Sequence, residues 1–174
     1  RAKDKMVNQY ERDVRRMVMT HCTIQGAAEL PSGMALISIV MDIERIGDYT
    51  KSIMDLAVIH EKRLLIPEFE DELRAIEETI KSRFVNTIDT LKSNDEGKAR
   101  ELLATYKEEV PRAADHIVDR IVSGDVPSIS GADASTLTLY VRYLRRIGAH
   151  LKNVTTSVVN PFEWIGYGKV REHS

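Results

Sequence analysis

The chain has 174 residues, 43% of them hydrophobic and 30% charged, with 25 Lys or Arg against 27 Asp or Glu and a formal net charge of −2. A chain of that length holds one ordinary domain with enough apolar residues for a core, and 6% aromatics with only 9 glycines favour long amphipathic helices over a turn-rich β-fold. The near-neutral balance excludes the concentrated positive field that nucleic acid or an anionic membrane attracts. A single cysteine, Cys22, excludes a disulfide scaffold and fits a reducing compartment.

From Asp4 the residues Val7, Tyr10, Val14, Met17 and Val18 recur at steps of three and four, predicting a helix to about Thr23. No Ser, Thr or Asp cap precedes it, so the expectation is a helix whose first turns lie before Arg1. The opening has no apolar stretch of the signal-peptide kind. After a connector, Pro31 suits a first helical turn, and a second helix is expected from Pro31 to Arg63 with Leu36, Ile39, Ile43, Ile46, Ile53 and Ala57 on one seam. Its most apolar window, Met34 to Met41, runs into Asp42 and Glu44 and is far shorter than the roughly 20 residues of a membrane span.

Pro67 restarts a third helix from Glu68 to Leu91, with Phe69, Leu73, Ile76, Ile80, Phe84, Ile88 and Leu91 on one face. A fourth is expected from Asp95 to Val122, kinked or interrupted near Lys107 to Val110 because Pro111 lacks an amide hydrogen. Ser123 to Asp133 reads as a loop. A fifth helix then runs from Ala134 to Val159 and stops before Pro161. The tail from Phe162 to Gly168, which holds Trp164, is expected to pack as an irregular cover over the core. Trp164 can also anchor an interface. The fold class is therefore all-α.

The chain also repeats itself. Ile43 to Ile53, IERIGDYTKSI, aligns without gaps to Leu144 to Val154, LRRIGAHLKNV, 101 residues on. Arg45, Ile46, Gly47 and Lys51 recur as Arg146, Ile147, Gly148 and Lys152. A mid-helix glycine costs about 0.8–1.0 kcal/mol relative to alanine, so Gly47 and Gly148 imply close approach of a neighbouring helix or of a ligand. The simplest organisation is two unequal copies of one helical bundle, residues 1–64 and 65–174, the first copy short of its opening helix. The groove of that absent helix would expose apolar side chains and favour a homo-dimer.

Glu44 and Asp48, four residues apart, stack on one side of a helix and repel unless a cation lies close. The pair fits a solvated face, a partner such as Arg45 or Lys51, or an oxygen-ligated metal. Arg142, Arg145, Arg146 and Lys152 fit a solvated face or contact with phosphate or an acidic partner. None of the five histidines lies three residues after a Glu, which excludes the di-iron Glu-x-x-His arrangement. No phosphate-binding glycine loop or nucleophile elbow occurs, and His150 reads as a packing residue rather than a base. No enzymatic activity is expected.

The segment DIERIGDYTKSI, Asp42 to Ile53, resembles the signature of the PhoU family of phosphate-uptake regulators, and Asp4, Val7, Asn8 and Glu11 match that family's upstream segment. The resemblance implies tandem three-helix bundles and a cytoplasmic regulator of phosphate uptake and phosphate-responsive signalling. Its implied partners are the phosphate transporter's ATPase and a sensor histidine kinase. It also implies a metal ion, iron, zinc or another divalent, at Glu44 and Asp48, with Asp4 and Asn8 as further ligands. In the second copy Arg145 and Ala149 stand at the places of Glu44 and Asp48, and Glu108 with Arg112 also ends in a cation, so no second metal is expected. PhoU-like domains also follow sodium/phosphate symporter spans or accompany potassium-transport regulators, which leaves a transporter's cytosolic domain as the alternative.

Overall fold

The computed structural model describes residues 2–106 and 109–167. Six α-helices, with no strand among the described residues, run in the order α1 (Ala2–Gln25), α2 (Leu30–Ile59), α3 (Glu70–Ser93), α4 (Glu96–Ala104), α5 (Glu109–Val122) and α6 (Gly131–Thr156). The all-α expectation holds, with one helix divided. α4 ends where the amides of Thr105 and Tyr106 bond back to Leu102 and Leu103. α5 restarts at Glu109, which puts Pro111 in a first turn, where no intrahelical amide bond is lost. Of the expected interruption, Lys107 and Glu108 lie outside the described residues.

Local chemistry moves two boundaries. α2 stops at Ile59 rather than Arg63 because His60 leaves the helical backbone, its Nδ1 2.8 Å from the Lys62 carbonyl and its Nε2 2.8 Å from Asp133 Oδ1. α6 starts earlier than expected because Ser130 caps it: the Ser130 hydroxyl accepts from the Asp133 amide at 3.0 Å and donates to Asp133 Oδ2 at 2.6 Å. These bonds to Ser130 and His60 hold the Asp133 carboxyl below its usual range. His60 thus ties the end of α2 to the first turn of α6.

The buried core lies mainly in the second copy, where Phe69, in the 3-10 turn just before α3, and Ile76 and Ile80 of α3 meet Ala114 and Ile117 of α5 and Leu137, Val141 and Leu151 of α6. α2 joins that core through Ile46 and packs antiparallel on α6. Two contacts define the crossing: Asp42 meets His150, and Tyr49 meets Tyr143 with ring centroids 5.9 Å apart. The repeat relates Asp42 to Tyr143 and Tyr49 to His150, so exchanging the copies exchanges the contacts. An approximate two-fold axis therefore passes between α2 and α6 near Ile46 and Ile147.

α1 and α2 form an antiparallel hairpin whose register is set by a close approach at Gly33. A Cβ there would lie 2.8 Å from both Cys22 Sγ and Val18 Cγ1. At Gly148 a Cβ would come within 2.8 Å of Ile80 Cδ1, whereas at Gly47 the nearest atom is Val7 Cγ1 at 3.8 Å. The close helix approach expected at both repeat glycines therefore exists at Gly148 alone. Gly47→Ala is expected to stabilise the fold by up to about 0.8–1.0 kcal/mol through helix propensity. Gly33→Ala should cost about 1–3 kcal/mol of overpacking against a β-branched neighbour, a net loss even after the propensity gain. Urea unfolding midpoints of the two variants, moving in opposite directions, check this.

Candidate functional site

The hairpin register brings the carboxylates of the first copy into one seam. On α2, Glu44 and Asp48 stack as predicted; from α1, Glu11 faces Glu44, and two turns further Asp4 faces Lys51. The Asp4 carboxylate sits 3.3 Å from Lys51 Nζ and is committed to that ion pair. Asn8 lies half-buried on α1 between Asp4 and Glu11. Glu11 pairs with Arg15 at 2.5 Å, while Arg45 Nε stands 3.8 Å from Glu44, beyond hydrogen-bond distance.

Glu44 is the focus of this seam. Its side chain is only 18% exposed, and burial, then the charges of Asp48 and Glu11, raise its pKa above the ordinary value, with Arg45 opposing them. Protonated Glu44 also donates a hydrogen bond to Asp48. Glu11 escaped the site reading because only the fold places it opposite Glu44; its match to the upstream segment was the available signal. Among the described residues no group of three or more His, Cys, Asp and Glu side chains is arranged to hold a metal. What the donor set offers a cation is the Glu44–Asp48 pair, with Glu11 across the seam.

The raised pKa sets a pH dependence. Folding disfavours the ionised form of Glu44, so its contribution to stability is highest when the carboxyl is protonated and is lost as pH rises from the ordinary 4.5 through the raised folded value. Glu44→Gln is therefore expected to stabilise the protein at neutral pH by roughly 0.2–0.5 kcal/mol, the size of a like-charge i, i+4 repulsion. The gain should vanish below the ordinary pKa. Thermal unfolding of both proteins across pH 3 to 8 measures it, and a pH-independent difference would contradict the assignment.

The second copy has replaced repulsion with pairing. Arg145, at the place of Glu44, forms an ion pair with Asp115 of α5, and Ala149 stands where Asp48 would be. Arg146 donates from Nε to the Tyr49 hydroxyl at 3.2 Å. Two members of the basic row are thus engaged.

A second polar cluster sits under the α2–α6 crossing. Asp42, 8% exposed, accepts from His150 Nδ1 at 2.6 Å and from Asn153 Nδ2 at 3.0 Å, all on one carboxylate oxygen. That bond fixes the His150 proton on Nδ1. Tyr49 stacks on the imidazole with centroids 5.8 Å apart, and Nε2 is buried with no hydrogen-bond partner. The tail closes over it as an irregular cover: Gly166, at φ +87°, passes so close to Asn153 that a Cβ would lie 2.9 Å from its Oδ1. The Gly166 amide donates to Thr156 Oγ1 at 2.7 Å, and Asn160 Nδ2 donates to the Trp164 and Tyr167 carbonyls at 3.0 Å each. Gly168 lies outside the described residues. The cluster fastens α2 to α6.

Fold and seam define a class: an all-helical tandem bundle with an approximate internal two-fold axis and an acidic seam in one copy only. Residues 1–57, which hold the seam, match the family model described as the PhoU domain. Over 99% of its length the chain superposes on the crystal structure of the phosphate transport system regulatory protein PhoU from Streptococcus pneumoniae, with a TM-score of 0.75, 16% identity and 79% of that chain covered. No curated protein sequence matches. The family model matches the first third of the chain, and the solved structure shows that the whole chain shares its all-helical fold.

Proposed function

We propose that this chain regulates phosphate uptake and phosphate-responsive signalling from the cytoplasm, by docking onto partner proteins rather than by catalysis. The carrying observation is the PhoU-domain match over 1–57 on a fold shared with a phosphate transport regulator. The surface supports docking. All six methionines lie in α1 and α2, and each is between 40% and 68% exposed; methionine is flexible and polarizable, suited to contact surfaces that adapt to a partner. Among the described residues no helix is long and apolar enough to cross a membrane.

The partners in this reading are the phosphate transporter's ATPase and a sensor histidine kinase, met by a homo-dimer. Deleting the gene should release phosphate-starvation reporter expression in phosphate-replete medium, and the chain should co-purify with the ATPase. An unchanged starvation response would remove the proposal. Light scattering reads the dimer.

Glu44 and Asp48 are also proposed to hold one metal ion, iron, zinc or another divalent, whose positive charge would relieve their repulsion. Asp4 could join only by leaving Lys51, and Asn8 only as a neutral amide oxygen. Elemental analysis of metal-equilibrated protein, wild type against Glu44→Ala/Asp48→Ala, tests the pair; equal stoichiometry would sink it.

A further inference from the structure

The repeat retains a pair of cations that packing does not explain. Ile46 and Ile147 are buried and Gly148 admits Ile80, whereas Arg45 and Arg146 are exposed. The two-fold axis passes between antiparallel helices, so positions it relates lie on one face of the pair, and the two arginines meet there from opposite copies. Tyr49 stands between them. On α2, Arg45, Tyr49 and Ser52 follow at i, i+4 and i+7 and, with Asp48 and Lys51, line a cleft of about 300 Å³. From α6, Arg146 reaches its edge, with Nε 3.2 Å from the Tyr49 hydroxyl and the guanidinium carbon 5.9 Å from the ring centroid. Exposed Arg142 lies one turn away on α6. The donors here are largely unused. Arg45 is beyond hydrogen-bond distance of Glu44 at 3.8 Å, and among the described residues no acceptor meets the Tyr49 hydroxyl proton or the Arg146 Nη groups. Lys51 is tied to Asp4 and the Ser52 hydroxyl to the Asp48 carbonyl.

We propose that this cleft binds a free hydrogen phosphate ion, held by the guanidiniums of Arg45 and Arg146 and the Tyr49 hydroxyl. A planar guanidinium meets two phosphate oxygens at once, which an exposed ammonium does not. Asp48 sets the choice among anions. A carboxylate only accepts hydrogen bonds, so it repels a fully ionised oxyanion such as sulfate and pairs with one that keeps a proton at neutral pH, as phosphate does. The site draws on both copies, so a bound anion bridges α2 and α6 on the face where their arginines meet. The inference names a ligand for the phosphate role proposed above, and its choice of phosphate rests on that reading together with Asp48.

A metal between Glu44 and Asp48 would itself attract phosphate, so the test uses chelator-treated protein. Inorganic phosphate titrated at constant ionic strength should give saturable NMR shifts at the Arg45 and Arg146 Nε–H signals and at the amides around residues 45–52 and 142–149. Arg45→Gln and Arg146→Gln, both at exposed positions, should each weaken binding by about tenfold or more through the loss of charged hydrogen bonds to the anion. Tyr49→Phe, which keeps the ring stacked on His150, should weaken it less. Sulfate should bind more weakly than phosphate, and Asp48→Asn should remove that difference. Shifts that do not saturate would overturn the proposal, as would binding indifferent to both arginine variants or binding that appears only when metal is restored. Sulfate binding as tightly as phosphate to the wild-type protein would overturn the assignment of hydrogen phosphate. Each of these failures leaves the regulatory role standing if gene deletion still releases the starvation response, whereas phosphate binding with an unchanged response would leave this site without that role.

Discussion

Asp42→Ala is expected to lower the unfolding free energy by about 3 kcal/mol, since it removes two hydrogen bonds to a charged acceptor worth roughly 1.5–3 kcal/mol each. The loss should exceed one bond's worth because His150 Nδ1 and Asn153 Nδ2 are left buried without an acceptor, beneath Tyr49 and the Gly166 backbone. Urea unfolding gives the number as a shift in midpoint at unchanged slope. A double-mutant cycle with His150→Ala isolates the pair and should return a coupling of roughly 0.5–3 kcal/mol. Zero coupling would mean that the contact merely fills space. Because the cluster joins α2 to α6, the variant should also separate the copies: α1–α2 amides should exchange faster than those of α3, α5 and α6.

The same cluster shows where the sequence stops being legible. Helical periodicity located the helices because apolar side chains at steps of three and four must face something. What they face is another matter. The α2 seam read as one stripe divides in the fold: Ile46 is buried at 8% exposure, while Ile43 and Leu36 remain 41% and 46% exposed. On α3, Phe84, Ile88 and Leu91 line an open groove against α2, and the positions buried in that half of the helix are Arg83, Thr87 and Thr90. Periodicity assigns burial to apolar residues and cannot foresee a buried arginine whose partner is a carbonyl 22 residues on. The seam carboxylates Glu44 and Asp48 were visible because both lie on one helix. Glu11 and the Asp42–His150 pair were not, because each needs two helices in register. The repeat offered a hint, since it aligned His150 with Tyr49, the residue it stacks on.

Arg83→Met should destabilise the protein by about 2–4 kcal/mol, although methionine keeps the buried length of the stem. Arg83 is 5% exposed; its guanidinium donates to the Thr105 carbonyl at 2.6 Å and stands 4.3 Å over the Tyr106 ring. Those two contacts hold the end of α4, one a charged hydrogen bond of roughly 1.5–3 kcal/mol and the other a desolvated cation–π contact of about 2. Burial lowers the Arg83 pKa, with Tyr106 and Glu109 opposing that effect, but a guanidinium stays protonated at any pH the fold survives, so the loss should not vary between pH 6 and 9. Arg83→Lys should recover only part of it, because an ammonium lacks the planar fork that bonds a carbonyl while lying over a ring. Hydrogen exchange should place the damage at α4 and the start of α5, with the α1–α2 seam unmoved. A variant as stable as wild type would show that dehydrating the guanidinium cancels both contacts, and the buried Ala99 and Leu102 of α4 and Val110 of α5 would then suffice to anchor the two sides of the break.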